Sequence, residues 1–335
     1  MKPVIFGVSG HELTSDERAF FREADPLGYI LFKRNCGDVA QMKALTDSLR
    51  DLSGRADLPI LIDQEGGRVA RMVPPEWPAF PAGATFDALY DVAPISAIEA
   101  ARANAQALAL MLAEVGVNVN CAPLLDVRQA DVTPAIGDRS FGGDPMRVAA
   151  LGQAMLEGMR RGGVVGVVKH MPGHGRALVD SHYDLPRVKA DAEALETDLE
   201  PFIRLADAPM GMTCHVVFEA WDAERPATLS PKVVSEILRG RIGFDGLLMS
   251  DDIDMKALSG TAGEKASQAL TAGCDVVLDC WARMDEMVEI AGLIGDTTPE
   301  CVARLDRAMA TIADGSAAAD FGALIAKRDE LLALA

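Results

Sequence analysis

Basic residues are scarce in this sequence: 32 Lys and Arg stand against 50 Asp and Glu, giving the 335-residue chain a formal net charge of −18. Nucleic-acid binding draws most of its affinity from a basic face, and this balance argues against one. A local Arg and Lys cluster can still hold an acidic small substrate. No apolar run approaches the roughly 18–20 residues that a membrane helix requires. Met1–Val8 is too short an apolar run for a signal peptide and offers no small-residue cleavage site, so a cytoplasmic location is expected. None of the six cysteines (36, 121, 214, 274, 280 and 301) stands in CxxC or zinc spacing. Cys121, Cys214 and Cys274 lie in or beside apolar runs and read as buried, reduced thiols. Hydrophobic residues at 49% and charged ones at 24% exclude disorder and suffice for a large core.

Eight short apolar runs are present: Val4–Val8, Tyr29–Phe32, Ile60–Ile62, Val117–Cys121, Val164–Val168, Met210–Cys214, Leu247–Met249 and Val276–Leu278. Unbroken runs, rather than polar alternation, suit strands covered on both faces, as in a parallel sheet. The stretches between them have helical periodicity and the length of crossover helices. Ser96 and Glu99 form a candidate capping box for a helix from Ser96 to Val115, ending at Gly116. Asp144-Pro145 and Ser230-Pro231 place an N-cap before a proline. Leu195–Ala206 and Lys265–Ala272 are further helices. Val73–Pro81 and Thr133–Gly143 read as long loops. This order predicts an α/β protein: one (β/α)8 TIM-like barrel over residues 1–298, with helices over 299–335 packed on it. An open, doubly wound sheet is the alternative.

Barrel active sites gather at the C-terminal ends of the strands. Here those ends carry Asp63, Asp126, Lys169-His170, His215 and Asp251-Asp252. One such strand end is unremarkable, but five together predict a titratable pocket. Asp252 is expected to cap the next helix. Arg71, Arg139 and Lys169 supply the opposite charge and can clamp hydroxyls or carboxylates.

The segment Lys169–His182 holds three of the five histidines. Pro172, Gly173 and Gly175 keep it from forming a helix, so it is expected to be a loop that can move. Asp180 and His182, two apart, share a side of the chain where the backbone is extended. A carboxylate beside an imidazole favours its protonated form and fixes its orientation, as a general acid near neutral pH requires. A loop-bracing hydrogen bond is the simpler reading of that pair. Metal ligation by His170, His174, His182, His215 and the strand-end aspartates is a third, but Pro172-Gly173 breaks the helix that would align His170 with His174, and no His-Glu-x-x-His pattern occurs. No phosphate-binding loop is found.

Together, Ile62-Asp63-Gln64-Glu65-Gly66-Gly67-Arg68-Val69, Gly137-Asp138-Arg139-Ser140-Phe141, Lys169-His170-Met171-Pro172-Gly173-His174-Gly175, Asp180-Ser181-His182 and Ser250-Asp251-Asp252 resemble family 3 glycoside hydrolases. The resemblance is strongest to their bacterial, cytoplasmic β-N-acetylhexosaminidase branch, which acts in peptidoglycan recycling, and it spans residues 1–295. It implies removal of terminal β-linked N-acetylglucosamine from muropeptides such as GlcNAc-1,6-anhydroMurNAc peptides, with retention of configuration. By the family pattern Asp251 is the nucleophile, His182 the acid/base and Asp180 its partner, in place of the usual two carboxylates. Asp63, Arg71, Arg139, Lys169 and His170 are the implied sugar-binding residues. No metal or organic cofactor, nucleic acid or membrane is implied. A histidine's neutral conjugate base would also repel a phosphate acceptor less than a carboxylate would. Met171 stands where the family usually has an aromatic residue, and the further domain of many relatives is lacking, so the barrel is expected to supply the whole site. A metal-dependent barrel hydrolase and a non-catalytic amino-sugar sensor are the competing classes.

Overall fold

A computed structural model of the chain describes residues 1–129, 135–181, 183–312 and 319–335. The strands are β1 (Lys2–Gly7), β2 (Pro26–Leu31), β3 (Ile60–Ile62), β4 (Val119–Asn120), β5 (Val165–Met171), β6 (Arg187–Val188), β7 (Met210–Thr213), β8 (Val217–Phe218), β9 (Leu247–Asp252) and β10 (Val276–Asp279). Eight of them close into a parallel barrel in the order β1-β10-β9-β7-β5-β4-β3-β2, while β6 and β8 form a small separate pair. Closure is made by β1, which pairs with β2 on one side and β10 on the other. The open-sheet alternative is thereby removed.

The helices are α1 (Ser15–Ala24), α2 (Val39–Ser53), α3 (Gly83–Val92), α4 (Pro94–Glu114), α5 (Pro145–Arg161), α6 (Ala192–Arg204), α7 (Ala262–Ala272), α8 (Met284–Leu293), α9 (Pro299–Ala310) and α10 (Phe321–Leu332). A π-helical stretch, Val233–Arg241, fills the crossover before β9. Each barrel strand before β10 thus leads into a helical crossover, as a parallel sheet demands.

The unbroken strand runs have a direct cause. Ile5, Leu61, Val167, Met212, Met249 and Leu278 fill the barrel interior. Their neighbours Phe6, Ile60, Ile62, Val168, Leu248 and Val277 face the helices. Both faces are buried, so both must be apolar.

The local signals were mostly obeyed. Asp144 accepts from the Arg147 amide ahead of Pro145, and Ser230 Oγ accepts from the Val233 amide. The helix expected from Ser96 instead starts at Pro94, and its cap residue Ala93 makes no side-chain bond. Proline's fixed φ opens a helix well, so Ser96 and Glu99 lie inside the first turns and the capping box does not form. Asp252 also caps no helix: α7 is capped by a Thr261–Glu264 box. The Ala-rich face of α4 lets α5 approach closely, and a Cβ on Gly158 would lie 2.3 Å from the Arg102 carbonyl oxygen.

The floor of the barrel is closed by α9. Its Cys301, Leu305, Ala308 and Met309 join the interior cluster, and Arg304 pairs with Asp275 at the N-terminal edge of β10. On the outside, Arg328 of α10 donates to Asn104 of α4 at 3.2 Å. With the floor sealed, the open end is the C-terminal mouth.

Candidate active site

The C-terminal mouth holds a cavity of about 270 Å³, lined among others by Asp63, Glu65, Arg71, Arg139, Lys169, His170, Asp180 and Asp251. Asp63 and Glu65 follow β3 with their side chains on one side of the chain. Gln64, between them, turns away: its Oε1 accepts from the Arg71 and Met72 amides, at 2.8 and 3.1 Å. It thereby fixes the return of the loop that carries Arg71.

Lys169, near the end of β5, is buried and bridges the two carboxylates, 3.0 Å from Asp63 Oδ1 and 2.8 Å from Glu65 Oε1. Arg71 Nη2 lies 3.1 Å from Asp63 Oδ2. Arg139 donates to both oxygens of Glu65 at 2.8 Å, the bidentate geometry for which a guanidinium is suited. Burial alone would raise both carboxyls, but the cations outweigh it. Lys169 and Arg71 hold Asp63 well below the usual carboxylate range, and Lys169 and Arg139 hold Glu65 at about 2. Burial likewise disfavours the Lys169 ammonium, yet Glu65 and Asp63 keep it charged.

Asp126, in the loop after β4, organises the histidines. Its Oδ2 lies 2.7 Å from His170 Nδ1, and its Oδ1 accepts from the His174 amide at 2.6 Å. Despite burial, the imidazoles hold its carboxyl down to about 2. His174 itself is pushed down to about 4 by burial and by the neighbouring His170. One contact links it to the loop above, Nε2 to Ser181 Oγ at 3.4 Å.

Asp251 ends the inward row of β9. Burial would raise its carboxyl, but His170, His215, the Asp252 amide (2.8 Å from Oδ1) and Lys169 together lower it. The mouth therefore keeps Asp251 ionised. Asp252 is the reverse case: burial and the nearby Asp251 push it up to about 7 although the amides of Asp254 and Cys280 donate to it. His215 is fixed between Thr228 Oγ1 and the Asp252 carbonyl, at 2.8 Å each. Two guanidiniums, those of Arg34 and Arg71, stand 5.0 Å from the ring centre of Phe32 on the pocket wall.

All the sequence-derived site residues that are described thus meet in one cavity: Asp63, Arg71, Arg139, Lys169, His170, Asp180 and Asp251. His182 lies outside the described residues. The extended backbone assumed for Asp180 is not found: its carbonyl accepts from the Tyr183 and Asp184 amides, which is a turn. Sequence reasoning left Glu65 without a role, although it lies two residues beyond Asp63 and shares its side of the chain. Asp126 was visible only as a strand-end carboxylate. Among the described residues no three His, Cys, Asp or Glu side chains are arranged to hold a metal ion, and no helix is long and apolar enough to cross a membrane.

Known proteins with these features are numerous. The family profile for the glycosyl hydrolase family 3 N terminal domain matches residues 12–314. A beta-hexosaminidase of Chromobacterium violaceum is 38% identical over 98% of this chain and 91% of its own. A glycoside hydrolase family 3 beta-N-acetylglucosaminidase from Paenibacillus sp. superposes with a TM-score of 0.87 at 32% identity, over 98% of this chain and 67% of that one. NagZ from Neisseria gonorrhoeae, in complex with N-trifluoroacetyl-D-glucosamine, superposes with a TM-score of 0.86 at 30% identity, over 99% of this chain and 98% of the other.

Proposed function

The chain belongs to glycosyl hydrolase family 3, and from that premise we propose that it is an exo-β-N-acetylglucosaminidase, releasing terminal β-linked N-acetylglucosamine with retained configuration. The observation that carries this reading is the ionised, partly buried Asp251 facing a pocket of paired carboxylates and cations. The names of the hexosaminidase relatives and the amino-sugar complex of the gonococcal neighbour support it.

In this mechanism Asp251 attacks the anomeric carbon as the bond to the leaving oxygen breaks, giving a covalent glycosyl-enzyme. His182 donates its proton to that oxygen. It then takes a proton from water, whose oxygen attacks the anomeric carbon and frees Asp251. Asp180 orients the imidazole and favours its protonated form. Asp63 accepts from sugar hydroxyls, while Arg71, Arg139, Lys169 and His170 orient the ring and its acetamido group. Their contacts are preorganised, since Asp63, Glu65 and Asp126 already hold these side chains in place. We take residues 1–298 as the catalytic barrel and 299–335 as helices packed on it. The natural substrate in this reading is a cytoplasmic muropeptide, GlcNAc-1,6-anhydroMurNAc peptide.

Release of nitrophenol from the β-N-acetylglucosaminide tests the proposal, using wild type and His182→Ala, each with and without chelator. Turnover indifferent to chelator and diminished in the variant is expected. Wild-type inactivity would favour a sugar sensor, and chelator-sensitive turnover a metal-dependent hydrolase.

A further inference from the structure

Arg176 sits in the loop between β5 and α6 and turns away from the pocket. Its Nε donates to Asp198 Oδ2 at 2.5 Å and its Nη2 to the Ala194 carbonyl at 2.9 Å. Both acceptors belong to α6. Asp198 is 1% exposed, and its Oδ1 has no hydrogen-bond partner among the described residues. Such a position on a helix would take an apolar side chain at lower cost. A buried ion pair adds little to stability over an apolar replacement and is better suited to fixing one conformation among several.

The same stretch is held from its other side. The His174 amide donates to Asp126, the Ala177 amide to the His174 carbonyl, and Ala177 is fully buried. Gly175 passes so near Val127 that a Cβ would lie 1.9 Å from its carbonyl oxygen. Leu178 and Val179 are then 67% and 40% exposed, and the next anchor is Ser181, whose carbonyl accepts from the Ala257 amide at 3.2 Å. The chain re-enters the pocket at Asp180 and Ser181. Residues 173–177 therefore form a fixed limb, and Leu178-Val179 is the exposed span through which that limb carries Asp180.

We propose that the Arg176–Asp198 pair is a latch on α6 that fixes the limb and so sets where Asp180 stands in the pocket. Arg176 and Asp198 are then positioning residues for proton transfer, an inference that rests on His182 being the acid/base. Releasing the latch leaves the sugar-binding groups of the barrel untouched. The loss in kcat/KM, which reports the step that protonates the leaving group, grows as that group needs more protonation.

The test compares wild type, Arg176→Ala, Arg176→Lys, Asp198→Asn and His182→Ala on aryl β-N-acetylglucosaminides of graded phenol acidity, with a thermal melt of each protein. General acid catalysis is worth about 10²–10⁴-fold, so a misplaced acid is expected to cost on the order of 10-fold in kcat/KM for the least acidic phenol. Arg176→Ala and Asp198→Asn should show that loss, with little loss of kcat/KM for the most acidic phenol, and Arg176→Lys should recover part of it. A steepened leaving-group dependence in His182→Ala, with wild-type dependence in both latch variants, overturns the latch and leaves the acid/base standing. An unchanged dependence in His182→Ala overturns the acid/base assignment and the latch with it. Equal losses for every phenol, tracking a lowered melting temperature, reduce the pair to a structural role and also overturn the latch.

Discussion

Lys169 Nζ stands 2.8 Å from Glu65 Oε1, and through this one ammonium the end of β5 is tied to the loop after β3. Three cations, Lys169, Arg71 and Arg139, meet two carboxylates, Asp63 and Glu65. The cluster lies in a molecule of net charge −18, and Lys169, after His170, His215 and the Asp252 amide, also helps to lower the Asp251 carboxyl.

Lys169→Met removes the buried shared partner of two largely buried carboxylates. Breaking a buried pair by deleting one member typically costs about 3–5 kcal/mol. A fall of that order in the unfolding free energy, measured in denaturant, is expected together with loss of turnover. A variant as stable as wild type would show that Arg71 and Arg139 suffice to compensate Asp63 and Glu65.

His174 makes stability depend on acid. Its pKa is about 4 in the fold against about 6.5 unfolded, so the fold favours the neutral ring. The contribution is fully present above pH 6.5 and is lost as the pH falls through about 4. It amounts to about 3 kcal/mol, taking 1.36 kcal/mol per pKa unit. The stability of wild type should therefore fall more steeply below pH 6.5 than that of His174→Asn, as followed by denaturant melts at pH 7, 5.5 and 4. Parallel curves would contradict this.

Asp279 has the opposite sign. It is 1% exposed, neither carboxylate oxygen has a hydrogen-bond partner among the described residues, and burial with nearby Asp252 pushes it up to about 7. Protonation suits the fold, so this contribution is present below the unfolded pKa near 4 and is lost as the pH rises through about 7. Asp279→Asn should stabilise the protein by on the order of a few kcal/mol at pH 8 and far less near pH 4. Equal effects at both pH values would mean that Asp279 does not titrate in this range.

The barrel was legible in the sequence because parallel strands buried on both faces leave apolar runs that loops and amphipathic helices do not. Val117–Cys121 overstated β4, which spans only Val119–Asn120: Asn120 exchanges side-chain bonds with the Gln64 backbone, an interaction that hydropathy cannot register. Ser96 misled because Pro94, two residues earlier, is an equally good helix start. The pocket residues were legible as ionisable groups at strand ends, but their partners were not. Pairing Glu65 with Lys169 and Arg139, or Asp126 with two histidines, depends on which strands are neighbours in the closed barrel, and a single sequence does not encode that order locally. Asp252 was read as a helix cap for the same reason, since the Cys280 amide that donates to it arrives from the adjacent strand.

Intact-mass analysis after reaction with a fluorinated N-acetylglucosaminide that slows hydrolysis of the intermediate tests the mechanism most directly. The expected result is one added sugar per chain, mapped by peptide digestion to Asp251 and absent from Asp251→Ala, a variant that should otherwise fold normally. An adduct on another residue, or turnover with inverted configuration and no adduct, would contradict the assignment of Asp251 as nucleophile.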